Sequence, residues 1–193
     1  MSGVDLTELL AQVRAGNRDA WGELYRQCAP AIFRFCRRVL PVHEDAEDAT
    51  TEIFMKVRLK LGTYDSSRPF MAWLYKVASN HCWDTLRRRH IRQDLETGDV
   101  DTLPLEHPEP GPIERLQAER TSQEVRSGLA KLPDRARMAL TLRYYAEMSY
   151  EEIAEALGVR RQFVGVLLLR ARHQLREALA QSSVRAAFAG RNT

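Results

Sequence analysis

The sequence predicts an all-α fold in two small helical domains, and three observations predict it. From residue 1 to 92 prolines and glycines are sparse, and apolar residues recur at spacings of three and four rather than two. From Ser149 to about Ala180 a short helix, a glycine and a longer helix follow one another in helix-turn-helix order. Between Arg92 and Arg115 the acids Asp94, Glu96, Asp99, Asp101, Glu106 and Glu109 meet no Lys or Arg, and Pro104, Pro108, Pro110 and Pro112 interrupt them. Such a stretch cannot assemble a core and is predicted to be an extended linker over 93–113.

The elements follow in order. Leu6, Leu9, Leu10 and Val13 form the stripe of a first helix, with Gly16 as its stop. Ala20, Trp21, Leu24 and Tyr25 begin a second, which Pro30 is expected to bend or interrupt. A third opens on Glu44, Asp45, Glu47 and Asp48, acids where the helix dipole favours them, continues through Ala49, Ile53 and Val57, and ends near Gly62. After the loop from Tyr64 to Arg68, Pro69 is expected at the first position of a fourth helix. Its buried face is Phe70, Trp73, Leu74, Val77, Ala78 and Leu86, and it runs into the basic cluster Arg87-Arg88-Arg89-His90-Ile91-Arg92.

The second half begins with a helix near Ile113 to Lys131 and restarts at Pro133 with Met138, Leu140, Leu142 and Tyr145. Ser149 with Glu152 forms a capping box that opens a short helix from Tyr150 to Leu157, stopped by Gly158. A last helix spans about Arg160 to Ala180, buried through Val164, Leu168, Ala171, Leu175 and Leu179, and is of the kind that lies in a DNA major groove. The domains are therefore expected at 1–92 and 114–180, with a C-terminal tail at 181–193.

Composition narrows the function. With 193 residues, 44% hydrophobic and 28% charged, the chain has a globular balance, and its net charge is only +3. No signal-peptide core and no run of ~20 apolar residues is present, so a cytoplasmic protein with no membrane partner is expected. Cys28, Cys36 and Cys82 make an odd set without a C-x-x-C pair and read as reduced core thiols. The five histidines lack ligand spacing, and no paired-carboxylate, nucleophile–base or glycine-rich phosphate signature occurs, so no enzyme, cofactor or metal is expected. What the chain offers is two surfaces suited to DNA. Lys76, Asn80, Trp83 and Arg87 fall three or four apart on the flank of the fourth helix, a series of cation, amide and aromatic that suits phosphates and unpaired bases. The last helix supplies the other surface.

The motifs Asp45-Ala46-Glu47-Asp48-Ala49-Thr50-Thr51-Glu52-Ile53-Phe54, Phe70-x-x-Trp73-Leu74-x-x-Val77-Ala78-x-Asn80, Asp84-x-x-Arg87-Arg88, Leu132-Pro133 and Ser149-Tyr150-Glu151-Glu152-Ile153-Ala154-Glu155-Ala156-Leu157-Gly158-Val159 stand in an order and spacing that resembles the extracytoplasmic-function sigma factors, the compact two-domain group. The resemblance spans residues from about 8 to 180. It implies a factor that binds core RNA polymerase, through the clamp helices of the largest subunit and the flap, and directs promoter-specific initiation. By the same resemblance Asp48, Thr51 and Glu52 become polymerase contacts. Tyr64, Asp65, Ser66, Ser67, Arg68, Lys76, Asn80, Trp83, Arg87 and Arg88 become the minus-ten reading and melting surface, and the acidic linker becomes a mimic of nucleic-acid charge in the polymerase channel. Arg160, Arg161, Gln162, Phe163, Val166, Leu167 and Arg170 fall where the upstream element is read. An anti-sigma protein or an additional activator is a further candidate partner.

Two departures stand out. Thr51 occupies the place of a usual glutamine, and Phe163 to Leu167 is apolar where relatives usually show Thr-Val-Lys-Ser-Arg. Phe163, Val166, Leu167 and Leu169 have no evident core to enter, which suits thymine-methyl contacts or a protein partner, unless some of them simply widen the core. Two rival readings therefore stand beside the first: a sigma-like adaptor with weakened minus-thirty-five readout that works through a partner protein, and a stand-alone helix-turn-helix regulator.

Overall fold

The computed structural model describes the backbone of residues 6–96 and 123–189, with side chains at 6–91 and 123–180. Its helices are α1 (Leu6–Arg14), α2 (Arg18–Val39), α3 (His43–Lys60), a 3-10 turn (Leu61–Thr63), α4 (Phe70–Glu96), α5 (123–130), α6 (Asp134–Tyr144), α7 (Tyr150–Leu157) and α8 (Arg161–Ala189). No strand occurs among the described residues. The expected linker at 93–113 lies largely outside them, as does the beginning of the helix expected from Ile113.

The first domain packs α2 against α1, α3 and α4. Gly16 turns the chain at φ +86°, and Asn17 starts α2 by accepting the N–H groups of Asp19 (2.9 Å) and Ala20 (3.2 Å) on its side-chain oxygen. The expected interruption at Pro30 does not occur, since α2 continues through it. An interior proline costs ~3 kcal/mol. Leu24 precedes it and Ile32, Phe35 and Val39 follow it on one fully buried face, and each such side chain returns roughly 1.5–3 kcal/mol. Burial therefore outweighs the missing bond. Pro69 and Pro133 sit one position before their helices rather than inside them, their carbonyls accepting Trp73 N–H (3.3 Å) and Arg137 N–H (3.0 Å). α4 also outlasts the expected boundary at Arg92, reaching Glu96.

In the second domain the capping box forms as expected. Glu152 N–H donates to the Ser149 hydroxyl (3.2 Å), and Ser149 N–H donates to the Glu152 carboxylate (2.7 Å). Gly158 closes α7 in the left-handed region at φ +61°. Val164, Leu168 and Ala171 are buried as expected, and α8 extends beyond Ala180 to Ala189, into the span read as a tail. α5 lies so close to α8 that a Cβ on Gly128 would come within 2.9 Å of the Leu179 side chain, so a larger residue there would push the leucines of α8 aside.

The domains are in contact, with α2 and α4 meeting α6 and α7. Arg34 donates to the Tyr145 hydroxyl, and the Arg38 guanidinium lies 3.9 Å above the Tyr145 ring. His90 lies 2.8 Å from Asp134, whose other oxygen pairs with the buried Arg137. Among the described residues no helix is long and apolar enough to cross a membrane.

Candidate nucleic-acid and polymerase interfaces

α4 divides its side chains as the sequence predicts. Phe70, Leu74, Ala78 and Leu86 are buried, with Trp73 and Val77 packed against that core, while Asn80, Trp83, Arg87 and Arg88 are exposed. Trp83 keeps 37% of its surface in solvent, so its ring stays outside the core and presents a face for stacking. Arg88 is steadied by the Asp84 carbonyl (3.3 Å) and the Thr85 hydroxyl (3.4 Å).

The loop that precedes α4 is built on Tyr64. Its ring is buried, edge-on to Phe70 (5.3 Å between centroids) and tilted against Trp73 (5.4 Å), and its hydroxyl donates to the Arg68 carbonyl at 2.6 Å. Burial raises its pKa, so the hydroxyl stays protonated. Tyr64 is therefore a support of the loop rather than part of its exposed surface, because an aromatic ring beside two others loses more by exposure than the loop gains. Asp65 accepts Ser67 N–H (2.9 Å) in an Asx turn, and that bond holds its carboxyl below the usual range. Asp65, Ser66, Ser67 and Arg68 are exposed.

Part of this surface is occupied by the second domain. Glu155, on α7, receives Lys76 Nζ at 2.6 Å on one oxygen and Arg68 at 2.9 Å on the other. The Lys76 hydrogen bond is the main reason that the Glu155 pKa is lowered. Arg135, on α6, stands 5.2 Å over the Trp83 ring. The motif reading placed Glu155 in the helix-turn-helix and assigned it no contact; no local signal marks partners 79 and 87 residues away.

On α3, Asp48, Thr51 and Glu52 are exposed while Ala46, Ala49, Ile53 and Val57 are buried. The exposed stripe continues to Met55 (64% exposed) and Leu59 (85%), which sequence reasoning missed although their spacing from Asp48 and Glu52 is helical. Acids at one end and bare apolar groups at the other suit a protein surface rather than DNA. Behind this stripe His81 is buried, its Nδ1 2.7 Å from Lys56 and its Nε2 3.8 Å from Glu52. Burial first, and Lys56 second, lower its pKa, so the imidazole is neutral. Cys28, Cys36 and Cys82 are all buried free thiols, and burial pushes Cys28 up to about 11. They belong to the core, as the sequence suggested.

Arg160, just before α8, and Arg161, Gln162, Phe163, Val166, Leu169 and Arg170 on it are exposed. Arg161 pairs with Glu151, and Leu167 is half-buried against the core, so it widens the core rather than adding to the bare patch. Phe163 (52%), Val166 (47%) and Leu169 (59%) form that patch.

These surfaces can be set beside known proteins. Residues 24–91 match Sigma-70 region 2, and residues 122–175 match Sigma-70, region 4. The chain is 35% identical over 165 residues to the ECF RNA polymerase sigma factor SigE of Mycolicibacterium smegmatis, covering 85% of this chain and 63% of that protein, so that it spans somewhat less than two thirds of this relative. It is 31% identical over 180 residues to the RNA polymerase sigma factor CnrH of Cupriavidus metallidurans, covering 91% of this chain and 94% of that one. The solved structure of CnrH in complex with the cytosolic domain of CnrY superposes with a TM-score of 0.63 at 26% identity, over 91% of this chain and 97% of that chain. Two matched regions in the same order, and a relative aligned along nearly its whole length, place this chain in the sigma-70 family of RNA polymerase sigma factors, in the extracytoplasmic-function (ECF) group.

Proposed function

We propose that this sigma factor, which binds core RNA polymerase and directs it to promoters, divides the work among three faces. The stripe Asp48, Thr51, Glu52, Met55 and Leu59 docks on the polymerase. Asn80, Trp83, Lys76, Arg87 and Arg88, with the loop 65–68, hold the melted minus-ten strand. Arg160, Arg170 and the start of α8 hold phosphates of the upstream element. The domains are taken as 1–92, extended by α4 to Glu96, and 114–180, extended by α8, with the acidic segment between them as linker. The protein works in the cytoplasm, where its polymerase is, and contributes binding and melting rather than catalysis of its own.

The observation that carries the minus-ten assignment is the Glu155 contact. An anionic oxygen pair already sits on Lys76 and Arg68, in the place and with the charge that a DNA phosphate would bring. DNA must displace Glu155 to reach them, so this closed arrangement is a resting one. The assignment is tested with Asn80→Ala and Lys76→Ala in reconstituted polymerase on duplex and premelted promoters. Loss on duplex with recovery on premelted DNA supports melting by this face; full activity on both removes it from the site.

A second reading applies to α8 alone. Because Phe163, Val166 and Leu169 are bare, this helix has a surface for a protein as well as for thymine methyls. CnrH is solved with a protein partner, the cytosolic domain of CnrY, and a partner of that kind, an anti-sigma protein, is the occupant proposed under this reading.

A further inference from the structure

Four arginines converge where the two domains meet, outside all three faces. Arg37 and Arg38 come from the end of α2, Arg126 from α5 and Arg137 from α6, and with residues 39–41 they wall a pocket of about 20 Å³ that no acid lines. A water-sized sphere needs about 10–15 Å³, so one oxygen atom fits inside. Arg37, Arg38 and Arg126 are half-buried, within reach of a solute, and the buried Arg137 forms the inner wall.

The charges here are only partly matched. Asp134 pairs with Arg137, and Glu44 and Glu47 act on Arg37 from the exposed start of α3, outside the pocket. Arg38 and Arg126 pair with no carboxylate among the described residues; Arg38 lies on the Tyr145 ring and donates to the Arg34 carbonyl at 2.9 Å. The Nε–H groups of Arg126 and Arg137 are buried with no acceptor among the described residues. Burial first, and the charge of Arg126 with it, lowers the pKa of both Arg37 and Arg38. A guanidinium nevertheless keeps its proton, so the positive charge accumulates instead of titrating away. The C-terminal end of α2 offsets it by only about half a charge. Crowded like charges and unmade hydrogen bonds both cost stability, and an anion at this point relieves both. A carboxylate is flat and carries one charge, enough for one guanidinium fork. A phosphate group carries about −1.5 to −2 and presents three oxygens in different directions, which suits forks arriving from three helices.

We infer that this junction is a phosphate site, which takes the phosphate group of a small ligand between the two domains, with Arg37 and Arg38 on one side and Arg126 and Arg137 on the other. A ligand held from both sides favours the arrangement in which the domains touch. On the reading given above, that is the arrangement in which Glu155 covers Lys76 and Arg68.

The test titrates the free, full-length protein with inorganic phosphate and with adenosine monophosphate by calorimetry, against chloride at the same ionic strength. One saturable site is expected, the tighter of the two ligands showing whether the free ion or the ester is read. Arg38→Gln and Arg126→Gln, one in each domain, should each weaken binding about tenfold. Arg126→Lys, which keeps the charge and loses the fork, should recover part of that loss. A titration without saturation, or a loss for Arg126→Gln with none for Arg38→Gln, would overturn a site shared by the domains. Phosphate binding that appears only after the acids of residues 93–113 are neutralised would also overturn it, because the chain's own carboxylates would then be the ligand. Affinity for core polymerase separates the site from the resting-state reading: phosphate should lower that affinity a few-fold in wild type and leave Arg126→Gln unchanged. Binding that needs both arginines, with polymerase affinity unaltered, would support the site and overturn the closed arrangement as the resting one.

Discussion

α4 and α8 each carry a face proposed above to meet DNA, and the two are finished in opposite ways. The outward flank of α4 is polar, and three of its partners on the DNA side, Arg68, Lys76 and Trp83, are held by Glu155 and Arg135 of the other domain. The outward start of α8 is apolar, and Phe163, Val166 and Leu169 lie bare. The difference teaches what each face can exchange. Cations can trade a carboxylate for a phosphate at little net change, so α4 can be covered and released. Apolar groups gain only by staying dry in a complex, so the α8 patch is incomplete until something lands on it.

The largest expected effect breaks the α4 side. Asn80→Ala with Lys76→Ala should slow opening of duplex promoters about a hundredfold, the equivalent of the few kcal/mol needed to unstack a base, with most of the loss recovered on premelted templates. Transcript yield on the two templates measures it.

Next comes the α8 side. Phe163→Ser with Val166→Ser should reduce transcription about tenfold only from promoters that keep the native upstream element, if methyl contacts are made there. Loss on every promoter variant with the DNA footprint intact would assign the patch to a protein instead. Folding provides the control: both side chains are about half exposed, so the variant should melt within about 0.5 kcal/mol of wild type, whereas Leu168→Ala on the buried face should cost about 2–5 kcal/mol.

A smaller effect is expected at the covering contact. Glu155→Gln weakens two partly exposed ion pairs, each worth about 0.2–1 kcal/mol after solvent screening. Free protein should then bind single-stranded minus-ten DNA a few-fold more tightly, as read by fluorescence anisotropy. Unchanged binding would mean that Glu155 does not cover the face.

The smallest effect is a pH dependence at His81, behind the exposed stripe of α3. His81 has a folded pKa below its ordinary 6.5, so the unfolded chain binds the extra proton first as pH falls. Its stabilising contribution is complete above about 6.5 and declines as pH drops through the folded value. Denaturant midpoints on either side of 6.5 should show this decline in wild type and a flatter profile in His81→Gln.

Much of this was legible in the sequence because it is written locally. The Ser149 and Glu152 box, the Gly158 stop and the α3 and α4 stripes each depend on residues within a turn or two, and all are found as predicted. Pro30 misled because a local cost was outweighed by burial on both sides of it. Tyr64 looked like a loop residue facing solvent, but its burial depends on Phe70 and Trp73, which come later in the chain. Glu155 could not be read at all: its partners Arg68 and Lys76 lie 87 and 79 residues away, and no spacing rule connects them.

The Glu155 contact joins two parts of one chain, and that makes dilution irrelevant to it. A separate inhibitor would let go as its concentration fell, but a tethered carboxylate competes at an effective concentration set by the chain that joins it to its partners. A stray single strand in solution must beat that concentration to gain a hold on Lys76 and Arg68. Core RNA polymerase that held the two domains apart would remove the competitor outright, and with it the cover that this contact places on Lys76 and Arg68.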